Sequence, residues 1–193
     1  MKNEYKYPVR CIGNKDNPKL IILLYNPYGD TNFYKRFPEY AMDKDGQYSE
    51  SDMTFNQVIQ YDAWWGNFIQ KINSSGIKDN EILALEYYPY HTCNSSDVPR
   101  NWDDYAKQAL EDNKKLLMNF INDKKVFICV YYKADWLDIC PDLNKPRENI
   151  LITKNGWPNS KQPEIISWLN KTLPCANCEQ GGVLEKVKCQ VAE

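Results

Sequence analysis

Four short apolar runs, at residues 20–25, 82–87, 126–131 and 149–153, limit what this chain can fold into more than any other feature. A strand with one wet face alternates apolar and polar residues, whereas a run without alternation is covered on both faces. Between the runs the apolar spacing changes to steps of three and four. Residues 55–75 place Val58, Ile59, Trp65, Phe68, Ile69 and Ile72 along one helical stripe, with Gly76 as a stop. Residues 103–123 do the same with Tyr105, Ala109, Leu116, Leu117, Phe120 and Ile121. A short helix at 133–140 is closed by Pro141. The last, at 162–173, carries Ile165, Ile166, Trp168 and Leu169 and stops before Pro174. Ser160 is its candidate cap, with Gln162 and Pro163 in the first turn. Strand and helix alternate four times. That order predicts an α/β fold, a three-layer α/β/α sandwich around a four-stranded, mainly parallel sheet. The domain is expected over 1–174, followed by a tail at 175–193.

The chain has 193 residues, the length of one domain. Hydrophobic residues at 42% and charged residues at 26% exclude a disordered or low-complexity chain. No apolar run nears the ~20 residues a bilayer crossing needs. The N-terminal residues lack an apolar stretch of the secretory type, so a soluble, cytoplasmic protein without a membrane partner is expected. Lys+Arg 24 against Asp+Glu 26 gives a net charge of −2. Proteins that bind DNA mainly through its phosphates carry a basic surplus, which the totals here do not show. Aromatic residues are abundant: 14 Tyr, 6 Trp and 6 Phe. Most belong in a core, leaving a few to stack on a ligand. Seven cysteines, an odd number, argue against a disulfide framework. Cys175 and Cys178 form a CxxC with Cys189 beyond it, but the sole histidine, His91, is far away in sequence. Zinc wants four ligands, so no metal and no cofactor are expected.

Three segments can carry chemistry, and each follows a strand. In the first, the run ending at Tyr25 leads into Asn26, Pro27, Tyr28, Gly29 and Asp30. Proline restrains that turn and glycine frees it, so Asn26 and Asp30 can be aimed at one spot; a plain turn with Asn26 bonding its own backbone is the alternative. The long stretch 26–53 after it is where α/β folds place their sites. In the second segment, Glu86 interrupts an apolar run and Tyr87, Tyr88, Pro89, Tyr90 and His91 follow. The third is Trp157, Pro158, Asn159 and Ser160, after the last strand. Capping accounts for Asn159 and Ser160 but leaves Trp157 unexplained.

Taken together, the three segments resemble the uracil-DNA glycosylase superfamily from about Leu20 to Leu173. The order and spacing of the segments carry the likeness, not motif identity. The resemblance implies that Asn26, beside its proline, positions the attacking water. It implies that an aromatic of the following loop, Phe33, Tyr34 or Phe37, stacks on an extruded base. Where the family places an asparagine that reads the uracil edge, this chain has Glu86 or Tyr87. Where the family has His-Pro-Ser, this chain has Trp157-Pro158-Asn159. An indole donates one hydrogen bond but cannot carry an imidazolium charge. His91 is the candidate substitute. Losing an anion stabiliser typically costs ~10²–10³ in rate, so weak or altered excision is expected.

Two functions of different kinds follow. One is a DNA base-excising N-glycosidase acting in DNA repair, with Asn26, Asp30 and His91 as catalytic candidates. Its substrate contacts would be Tyr28, Phe33, Tyr34, Phe37, Glu86, Trp157 and Asn159. The other is a glycosylase-shaped binding protein without catalysis, recognising a nucleotide, a base or a protein partner. A phosphate-loop nucleotide binder ranks last, because neither GxGxxG nor GxxxxGK[ST] occurs.

Overall fold

The structure is a computed structural model that describes residues 11–25, 54–59, 63–90, 98–131, 133–153 and 158–173. The four apolar runs form parallel strands: β2 (Leu20–Leu24), β3 (Ile82–Glu86), β4 (Phe127–Val130) and β5 (Ile150–Ile152). A fifth strand, β1 (Cys11–Gly13), pairs antiparallel with β3. The sheet is therefore five-stranded and mixed, in the order β1-β3-β2-β4-β5, not the expected four-stranded one. The added strand is only three residues long, below the length at which an apolar run announces itself. Gly13 closes β1 at φ 100°, where a Cβ would collide with the Ile82 carbonyl and the Phe55 ring. Glycine is required there by both backbone and space.

Every residue of β2, β3 and β4 is buried, as continuous apolar runs demand. Side chains alternate between the two faces and enter two separate clusters. Leu20, Ile22 and Leu24 join Ile82, Ala84, Phe127, Cys129 and Tyr131 in the first. That cluster is completed by α1 (Phe55–Val58), α2 (Ala63–Asn73) and α5 (Pro158–Thr172). Ile21 and Leu23 join Leu83, Leu85, Ile128 and Val130 in the second. There α3 (Asp104–Phe120) contributes Leu117, and α4 (Lys133–Ile139) contributes Trp136. Each fully buried Leu, Ile or Val of this set contributes about 1.5–3 kcal/mol.

The helices start and stop for local reasons. Asp103 accepts from the Ala106 N–H at 2.8 Å, capping α3. Residues 55–75, read as one helix, divide into α1 and α2. The last helix starts at Pro158, not near Gln162. Pro158 takes its first position, which needs no N–H donor. Ser160 thus sits inside the first turn and is not the cap, and Pro163 lies within the helix. Gly76 ends the turn after α2 at φ 92°, and a Cβ there would meet nothing within 4 Å. Gly76→Ala should therefore cost only the left-handed backbone strain, about 1–2 kcal/mol. Urea unfolding measures it; a cost above about 3 kcal/mol would show a packing role instead.

No helix of the described residues is long and apolar enough to cross a membrane.

Candidate functional site

The strand order fixes where a site can form. From β2 the chain passes through α1 and α2, which pack on one face, and returns to β3 beside it. It then crosses through α3 on the other face to β4, on the opposite side of β2. The segments leaving β2 and β4 lead to opposite faces, and such a switch point opens a crevice beyond the carboxyl ends of the strands.

The last residue of β3 is Glu86, 2% exposed and level with Leu24 of β2. By alternation it shares a face with Ile82 and Ala84. Its Oε2 has no hydrogen-bond partner among the described residues. Burial pushes the carboxyl well above the ordinary 4.5, so it holds its proton to higher pH than most glutamates. Its backbone carbonyl is held by the buried Asn113 side chain of α3 at 2.9 Å. A protonated carboxyl offers a donor and an acceptor side by side but cannot act as a base.

Just past β4 stands Tyr131, 1% exposed and on the same face. Its hydroxyl also lacks a partner among the described residues. Burial, then Cys129 and Glu164, push the phenol up. Thr153, past β5, is buried and donates through Oγ1 to the Val130 carbonyl at 3.2 Å. The carboxyl edge on this face is therefore lined by buried polar side chains set against apolar ones.

The opposite face of the edge is aromatic. Tyr25 and Tyr87 stack with centroids 5.7 Å apart and planes 10° off parallel. Tyr87 meets Trp102 and Trp136 edge-on at 5.3 and 5.8 Å. The Trp136 indole donates to the Leu24 carbonyl at 2.6 Å, and the Tyr87 N–H reaches the same oxygen at 3.1 Å. Tyr88 packs on Trp102 at 5.0 Å, and burial, with Asp103, pushes its phenol up to about 12. Burial, then Asp135, Tyr25 and Asp138, raise Tyr87. The Tyr90 hydroxyl donates to Asp103 at 2.9 Å, tying the exit of β3 to the start of α3.

Of the residues singled out from sequence, Glu86 is placed at this edge. Asn26, Tyr28, Asp30, Phe33, Tyr34, Phe37, His91 and Trp157 lie outside the described residues. Asn159 occupies the second position of α5, and its side chain lies outside the described residues too. The same holds for Cys93, Cys175, Cys178 and Cys189, whereas Cys11, Cys129 and Cys140 are buried thiols. Among the described residues no three His, Cys, Asp or Glu side chains converge as metal ligands.

Three participants escaped the sequence reading. Tyr131 looked like the apolar end of a strand. Trp136 stands in a short helix with no sequence signal that sets it apart. Asn113 did leave a signal, an amide four residues from both Ala109 and Leu117 on the apolar stripe of α3.

Surface grooves among the described residues lie elsewhere. One of about 490 Å³ runs beside β5 past Leu143, Arg147 and Ile150. One of about 550 Å³ lies between α2 and α5, at Lys71, Ser74, Pro163 and Ile166. Neither includes Glu86 or Tyr131.

The chain matches no known family model, and no curated protein is significantly similar to it in sequence.

Proposed function

We propose that this chain is a uracil-DNA glycosylase-like α/β protein, built as a three-layer sandwich, that excises a base from DNA weakly or with altered base specificity. The observation that carries the reading is Glu86. A buried carboxyl whose Oε2 has no partner among the described residues stands at the carboxyl end of β3, beside the strand that leads into Asn26. A polar group kept there costs stability, which is the mark of a functional position. In this reading Asn26 positions water, with Asp30 and His91 as further catalytic candidates. Phe33, Tyr34 or Phe37 stacks on the extruded base. Tyr28, Glu86, Trp157 and Asn159 complete the pocket.

A second reading is a binding protein of the same shape without catalysis. Asp135 and Asp138 favour it: they lie close enough to Tyr87 to raise its phenol, and carboxylates at this edge repel a phosphate backbone.

The deciding experiment incubates the protein with single- and double-stranded DNA carrying uracil, hypoxanthine or alkylated bases and scores abasic sites. Slow excision is expected, lowered by Asn26→Ala and untouched by Cys178→Ala. No abasic sites from any base would select the binding protein. Robust excision from a uracil duplex that survives Asn26→Ala would overturn both the weak-activity reading and the role of Asn26.

A further inference from the structure

We draw no further inference here: the strongest candidate, the groove of about 490 Å³ along the outer edge of β5 beside the half-buried Ile150 and Ile152, carries nothing because nothing in the structure shows what covers that edge.

Discussion

Trp136→Ala is expected to destabilise the fold by about 3–5 kcal/mol, the range for removing a large buried aromatic. Trp136 is fully buried in the cluster formed with β2, β3 and β4, so its removal leaves a cavity that the packed strands cannot close. The indole also has a polar task. Its N–H bonds the Leu24 carbonyl at 2.6 Å, and that oxygen accepts from the Tyr87 N–H as well. Both lone pairs at the end of β2 are thus engaged, one along the ladder and one from the helix above. Trp136→Phe fills most of the volume but drops the indole donor. It should cost less, about 1–2 kcal/mol. Guanidinium unfolding at one pH measures both. A cost below about 1.5 kcal/mol for the alanine variant would mean that α4 is not anchored through this residue.

Much of this architecture could be read from the residues, and the rest could not for physical reasons. Leu20–Leu24 and Phe127–Val130 lack any polar interruption, so their doubly covered state shows in composition alone. The β1 strand escaped because three residues are too few for a pattern, and its edge position depends on a partner 70 residues away. The start of α5 moved because proline at a first position and proline inside a helix look alike in sequence, and tertiary packing decides between them. At the site, Glu86 was legible because a carboxylate inside Ile82, Leu83, Ala84 and Leu85 breaks the run. Tyr131 was not. A tyrosine ending an apolar strand is ordinary until its hydroxyl is seen buried without a partner among the described residues. That property belongs to three adjacent strands, and no single segment encodes it.

Glu86→Met is expected to stabilise the protein at pH 8, reversing the sign usual for a core substitution. Methionine approximates the volume of glutamate and places no polar atom against Leu24 and Ala84. The gain has two sources. One is Oε2, which has no partner among the described residues and whose burial costs about 1–3 kcal/mol. The other depends on pH. In the unfolded chain Glu86 ionises near its ordinary 4.5, while in the fold burial holds the proton to higher pH. A carboxyl with a raised folded pKa supports folding fully below its unfolded value. That support is lost as pH rises toward the folded one. Each unit between the two removes about 1.4 kcal/mol. The advantage of the methionine variant should therefore be about 1–3 kcal/mol at pH 4, from the first source alone, and grow as pH rises toward the folded value. Denaturation of both proteins across that range isolates Glu86, because every other titrating group is common to the pair. An advantage independent of pH would show that the carboxyl is not what ionises. A variant less stable than the parent at pH 8 would show that Oε2 has a partner holding it in place. In the proposed base site the same variant should also excise less, because methionine offers neither a donor nor an acceptor. Stability gained where recognition is lost is the expected signature of a residue retained for its ligand.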